Sequence, residues 1–244
     1  METKTSSLAL WALAIAVVVG GWFIGDGFAR ARLGDRFVTV KGVSEREVRA
    51  DLALWPLVYV ATSDDLSQAQ ARIEASRRGV MRFLRAQGID SSAVELQDLQ
   101  VADRLANPYG QQGPSTNRYI ITQRLMVRSS DPAMVQAAHQ QISALVDAGV
   151  VLGSGMGYGD NTPTYLFTRL NDLKPEMVAE ATARARESAE QFARDSKSAL
   201  GGIRRASQGV FVILPRDQAP GIQEERQLHK TLRVVTTVDY YLKG

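Results

Sequence analysis

The apolar positions of this chain follow three different patterns. The first is continuous. Residues 8–24 read LALWALAIAVVVGGWFI with no charge among them. As a helix this run spans about 25 Å, and about 30 Å if it continues to Phe28, which is the thickness of a bilayer core. Trp11 and Trp22 lie toward its two ends. A cleaved signal peptide would need a shorter apolar region of roughly 7–15 residues and a small-x-small site, which Ala29-Arg30-Ala31 supplies. A retained anchor needs roughly 17–25 apolar residues, and the run meets that length. The expectation is an N-terminal transmembrane helix and short linker over residues 1–33, contacting the membrane through residues 8–28. A folded domain follows over 34–244. Signal cleavage near Ala31 is the alternative, and either route carries the domain across a membrane. The flanking charges oppose that orientation. Arg30, Arg32 and Arg36 follow the run, against Lys4 before it, and a literal positive-inside count puts the C-terminal side in the cytoplasm.

The second and third patterns alternate along the rest of the chain. Period-two apolar and β-branched stretches predict strands at 37–43, 47–60, 94–105, 118–129, 150–159, 164–170, 203–214 and 230–242. Pro56 cannot donate to a ladder, so the second strand should meet an edge or a bulge there. Period-3.6 stretches predict three helices. The first runs from an Asp64 cap to about Gln87, with Leu66, Ala69, Ile73, Val80 and Leu84 inward and Gly88 as its stop. The second opens at Asp131-Pro132, buries Val135, Ala138, Ile142 and Leu145, and stops at Gly149. The third opens at Pro175, buries Val178, Ala181, Ala185, Ala189 and Phe192, and ends at Gly201-Gly202. In the third strand Val94, Leu96, Leu99 and Val101 are expected to face inward. Polar Gly/Pro-rich loops fill 106–117 and 215–228. The order ββαββαββαββ indicates an α+β fold of antiparallel or mixed sheets with three helices packed on one face.

Composition narrows the chemistry. A net charge of +3 with mixed signs throughout offers no basic stripe for nucleic acid. Cys 0 removes disulfides, thiolate metal sites and cysteine nucleophiles. The GSGMGYG run at 153–159 alternates glycine but leads into Asp160-Asn161-Thr162-Pro163 and a strand. A phosphate loop would lead into a helix. The glycines instead suit close approach of a helix or a neighbouring chain to one strand face. Neither His139 nor His229 has a partner at metal-ligand spacing. Asp64-Asp65 reads as a helix cap, Glu224-Glu225 as a solvated loop, and Trp55 and Tyr59 as core or interface aromatics. Arg184, Arg186 and Arg194 interleave with Glu187 and Glu190 on a solvated helix face. No G-x-S-x-G occurs. No catalytic, cofactor-binding or metal-ligating residue is expected.

Several of these residues together resemble the SIMPL-domain family. They are Val40-x-Gly42 followed by Glu47, Val48 and Asp51; Gly88-Ile89-Asp90; Asn107-Pro108-Tyr109 ahead of Arg118-Tyr119; and Glu180-Ala181, Ala185-Arg186, Ala189, Ala193 and Gly201-Gly202-Ile203. The similarity covers about residues 37–242 and departs from the usual pattern in the glycine-rich stretch 151–158. It implies a bacterial periplasmic or envelope protein, in a family with some members linked to oxidative stress and at least one that forms a ring-like oligomer. It implies no catalytic residues. The expectation is a non-enzymatic protein of the inner membrane, with its domain in the periplasm. It would self-associate, or bind an envelope protein, through strand edges or the alanine-rich helix. A ligand site near loops 106–117 and 215–228 is the alternative.

Overall fold

The computed structural model describes residues 3–33, 36–106, 117–153 and 161–243, with the side chains of the first helix placed at Trp11 and at 13–27. That helix, α1 (Thr3–Leu33), runs unbroken for 31 residues, about 46 Å at 1.5 Å per residue. Among the described residues no helix is long and apolar enough to cross a membrane. The transmembrane part of the expected fold is therefore not shown. Residues 8–10, Ala12 and Phe28 of the apolar run carry side chains outside those described. Of the side chains that are described, Leu13, Ile15, Trp22, Phe23 and Ile24 are all exposed.

The remaining elements form an α+β fold of two antiparallel sheets: β1 (Phe37–Arg49), β2 (Leu52–Ser63), α2 (Leu66–Ala86), β3 (Val94–Asp103), β4 (Tyr119–Ser129), α3 (Pro132–Gln140), α4 (Ser143–Asp147), β5 (Val151–Leu152), β6 (Thr164–Leu166), α5 (Leu170–Asp195), β7 (Ala199–Gln208), β8 (Val212–Pro215) and β9 (His229–Lys243). The expected element order is recovered, with one helix split into α3 and α4 and one strand split into β7 and β8. The chain divides into two compact units: Met1–Ser44, Pro175–Phe211 and Val234–Gly244 form one, and Glu45–Lys174 with Val212–Arg233 the other. The three helices expected on one face are thus distributed, α2 to α4 lying in one unit and the body of α5 in the other.

In the larger unit β2 is the central strand. It pairs with β4 along one edge and with β5 and β6 along the other, while β3 pairs with the far side of β4. Ala53, Trp55, Leu57, Tyr59 and Ala61 alternate onto one face and are buried with Ile73, Val80, Leu84 and Leu145 of the helices. Val58 donates its N–H to the Asn161 side chain at 2.6 Å and accepts from Gly153 N at 2.8 Å, so even-numbered residues of β2 point their main chain away from β4. Pro56 shares that direction. It lies between the stretch paired with β6 (Leu52 to Leu54) and the stretch paired with β5 (Tyr59, Val60), where it has no ladder bond to lose. The expected break at Pro56 is therefore a gap in one edge of a strand that itself continues.

Helix α2 is capped by Asp65 rather than Asp64. The Asp65 carboxylate accepts from Gln68 N at 2.9 Å, while Asp64 accepts from Arg118 N at 3.0 Å. Leu66, placed inward by periodicity, is exposed on the first turn. Asp131 caps α3 as expected, accepting from Ala133 N and Met134 N at 3.1 and 3.2 Å.

In the smaller unit β9 lies between β1 and β7, and α5 packs on the sheet. Val38, Val238 and Tyr240 meet Ala185 and Ala189 there. The buried stripe of α5 is Met177, Ala181, Ala185, Ala189 and Ala193; Phe192 is exposed. Pro175 sits inside the helix, not at its start. The C-terminus is also earlier than Gly201-Gly202. Lys197 adopts the left-handed conformation (φ 52) and Ser198 N bonds back to Ala193 O at 2.9 Å. The two glycines instead fall within β7.

Candidate functional site

The motif residues of β1 and α5 meet in one seam. A Cβ placed on Gly42 would lie 1.8 Å from Ala181 O and 2.5 Å from Ala185 N. Only a residue without a side chain lets the helix backbone come this close to the strand. Two residues on, buried Ser44 donates its hydroxyl to a Glu180 carboxylate oxygen at 2.8 Å. The other oxygen of Glu180 pairs with Arg184 at 2.6 Å. The seam therefore consumes the alanine stripe of α5, which is not available as an association surface. Its chemistry is that of packing: one buried hydroxyl bonded to one carboxylate.

Asp51, another motif residue, works in the larger unit. Its carboxylate accepts from Thr168 N at 2.9 Å, Thr168 Oγ1 at 3.1 Å and Arg169 N at 3.2 Å. It thereby fixes the chain just ahead of α5, acting as a cap supplied from a distant turn.

Trp55, His139, Tyr59 and Asn161 also have structural partners. His139 stands edge-on to the Trp55 ring at 5.7 Å between centroids, and Trp55 Nε1 donates to Asn161 O at 2.7 Å. Tyr59 donates to Gln123 at 2.5 Å inside the core, and burial raises its phenol pKa beyond the normal range. Asn161 seals the gap beside Pro56, since its Nδ2 also donates to Gly153 O at 2.6 Å. The remaining glycines of the 153–159 run lie outside the described residues, as does most of the 106–117 loop. Arg184 and Arg186 pair with Glu180 and Glu190 one turn away. Among the described residues no group of three acidic, histidine or cysteine side chains could hold a metal ion.

Loop 215–228 is more structured than a solvated loop. Lys230 is fully buried, and its ammonium donates to Glu224 O at 2.6 Å and to the Glu224 carboxylate. Glu224 is thus an anchor for the loop and not a solvated charge. Gln227 grips the Asp217 backbone on both its N–H and its carbonyl, each at 3.2 Å. Arg216 donates to the Asp217 carboxylate at 2.8 Å and holds its pKa below the usual range; nearby His229 acts in the same direction. Open grooves of about 580 and about 400 Å³ adjoin the loop.

The strongest surface feature is β3. Directly opposed residues on neighbouring strands share a sheet face. Leu96 faces Leu125, Leu99 faces Gln123 and Val101 faces Ile121. Those three β4 residues are buried, yet Leu96, Leu99 and Val101 are 55%, 46% and 52% exposed. The face predicted for them is correct, but no described element covers the sheet at its β3 margin. Among the described residues β3 is also an edge strand, paired only with β4. A bulge between Leu96 and Asp98 interrupts its register, and Arg118 pairs with Asp103 at 2.8 Å, holding the Asp103 pKa below the usual range. Periodicity identifies the inward face of such a strand. It carries no information about whether a helix reaches that far.

The chain matches the family model SIMPL, described as a protein of unknown function (DUF541), over residues 38–235. No curated protein matches it. Among solved structures it is similar to an amidase (hydantoinase/carbamoylase family) from Burkholderia phymatum, at 14% identity and a TM-score of 0.24, over 57% of this chain and 33% of that one. It is also similar to a protein assigned as an amidohydrolase/peptidase from Burkholderia cenocepacia, at 12% identity and a TM-score of 0.21, over 60% of this chain and 35% of that one. The chain thus spans about a third of the length of each, and at these scores neither likeness bears on fold or activity.

Proposed function

This chain belongs to the SIMPL family, and from that premise we propose that it is a non-enzymatic envelope protein that works by assembling with further copies or with a protein partner. The observation that carries this reading is the uncovered apolar face of the edge strand β3. Leu96, Leu99 and Val101 continue the buried face of β4 into solvent. Apolar side chains in line on an exposed sheet margin favour docking of another polypeptide, and an open strand edge adds main-chain donors and acceptors to the same surface. The bulge and the acidic residues of β3 limit that edge to specific pairing and oppose indefinite stacking.

Membrane attachment forms the second half of the proposal. An unbroken 31-residue helix with exposed Leu13, Ile15, Trp22, Phe23 and Ile24 suits the interior of a bilayer better than water. The domain then faces the periplasm. Protease treatment of intact and lysed spheroplasts tests the placement: degradation only after lysis refutes it. Sedimentation velocity of the full chain in nonionic detergent, across a wide concentration range, tests assembly. Concentration-dependent species are expected, and a strict monomer throughout counts against self-association.

A further inference from the structure

A cleft beside α2 carries chemistry that the assembly reading does not use. It arises because β5 is only 2 residues long, whereas its partner β2 runs on to Ser63. Beyond Val60 the β2 edge faces α2 across an open space of about 400 Å³. This volume is at the lower end for small-molecule sites. Helix α2 is held close at Gly79, where a Cβ would come within 3.1 Å of Val150 Cγ2.

Two arginines line the cleft. Arg72 donates one Nη1 bond to Thr62 O at 2.7 Å, which pins its guanidinium at the β2 edge and leaves its other donors for a second partner. Arg82 lies ten residues further along α2, about 15 Å along the axis. Among the described residues no acidic side chain lines the cleft, and Glu74 is the only acidic residue of α2. That carboxylate pairs with Arg77 at 3.0 Å. The preference of a helix C-terminus for cations is met by Arg85 in the last turn, so it does not explain Arg72 or Arg82. Between the arginines the walls are mixed: Val60 and Val151 lie on one side, and Ala75 beside Ser76 on the other.

We propose that this cleft binds an organic oxyanion, a phosphate ester or carboxylate, whose charged group is held by Arg82, with Arg72 adding positive charge from the other end, and whose apolar body rests on Val60, Ala75 and Val151. Guanidinium groups favour such anions through charge-assisted, two-pronged hydrogen bonds, and the aliphatic walls select against a bare inorganic ion. The proposal is independent of whether the chain assembles.

The test is isothermal titration of the full chain in nonionic detergent with phenyl phosphate, inorganic phosphate and benzyl alcohol. Phenyl phosphate is expected to bind saturably, inorganic phosphate at least about tenfold more weakly, and benzyl alcohol not at all. Arg82→Glu, which reverses one charge, and Ala75→Phe, which fills the cleft, should each weaken phenyl phosphate at least about tenfold while leaving the thermal midpoint unchanged. Repeating the titration in nanodiscs with and without phosphatidylglycerol identifies the source of the anion: competition by the lipid points to a headgroup, and its absence to a soluble ester. The proposal is overturned if phenyl phosphate shows no saturable binding into the millimolar range, if inorganic phosphate binds equally well, or if both variants bind as the unaltered chain does.

Discussion

Gly42→Ala tests the seam between β1 and α5 with the smallest change available. The new Cβ would start 1.8 Å from Ala181 O, 2.5 Å from Ala185 N and 2.9 Å from Ala181 C, all of them helix backbone. An unstrained carbon-to-carbonyl contact needs about 3.3 Å, so helix and strand must part by about 1.5 Å. Side-chain rotation cannot relieve a clash with main chain. Separation loosens Ala185 and Ala189 from Val38, Val238 and Tyr240, and it stretches the 2.8 Å bond from Ser44 to Glu180. Overpacking of this kind costs about 1–3 kcal/mol or somewhat more. A buried hydroxyl deprived of its acceptor adds about 1–3 kcal/mol. The expected loss is about 3–5 kcal/mol, a large part of the stability of an ordinary domain. Urea unfolding of the full chain in detergent, followed by circular dichroism, reads the loss directly. Gly202→Ala is the control. It lies in β7 with nothing within 4 Å of its Cβ, so it should change stability by less than about 1 kcal/mol. If Gly42→Ala also stays within about 1 kcal/mol, the close-approach argument is wrong.

Three further outcomes are expected. Lys230→Ala strands the Glu224 carboxylate and carbonyl against a buried void and should cost about 3 kcal/mol in the same unfolding assay. Lys230→Met combined with Glu224→Gln, which keeps the volume and removes both charges, should recover most of that loss. Asp103 and Asp65 have folded pKa values lowered by the Arg118 and Ser67 hydrogen bonds respectively. Their stabilisation is present above the ordinary carboxylate value of about 3.9 and is lost as pH falls through the lowered folded values. NMR titration should find both groups ionised below the usual range, with Arg118→Met returning Asp103, but not Asp65, toward it.

Local patterning carried the element order, because alternation and helical period depend only on neighbouring residues. The caps and ends were less legible. Asp64 and Asp65 are chemically alike, and only the path of the chain decides that the second one caps α2 while the first bonds to Arg118. Lys197 closes α5 in a left-handed conformation that glycine would normally supply. Gly201, placed as the helix stop, is needed instead where a Cβ would meet Tyr241 O at 2.9 Å. Burial is a property of what arrives from elsewhere. Leu96, Leu99 and Val101 face the right way and remain exposed, while Glu224, an ordinary loop charge in the sequence, and Lys230, the first residue of the expected last strand, are brought together by the turn before β9. The anion cleft was invisible for the same reason. Arg72 and Arg82 look like any solvated helix face until β5 stops short beside them.

The most direct test of the assembly account compares the full chain with a Leu96→Glu/Leu99→Glu variant by sedimentation velocity in the same detergent. Both side chains are already exposed, so the variant should keep its dichroism spectrum and thermal midpoint. Concentration-dependent assembly of the unaltered chain and a monomeric variant are expected. Assembly that persists unchanged in the variant, or an unaltered chain that is monomeric at every concentration, contradicts this expectation.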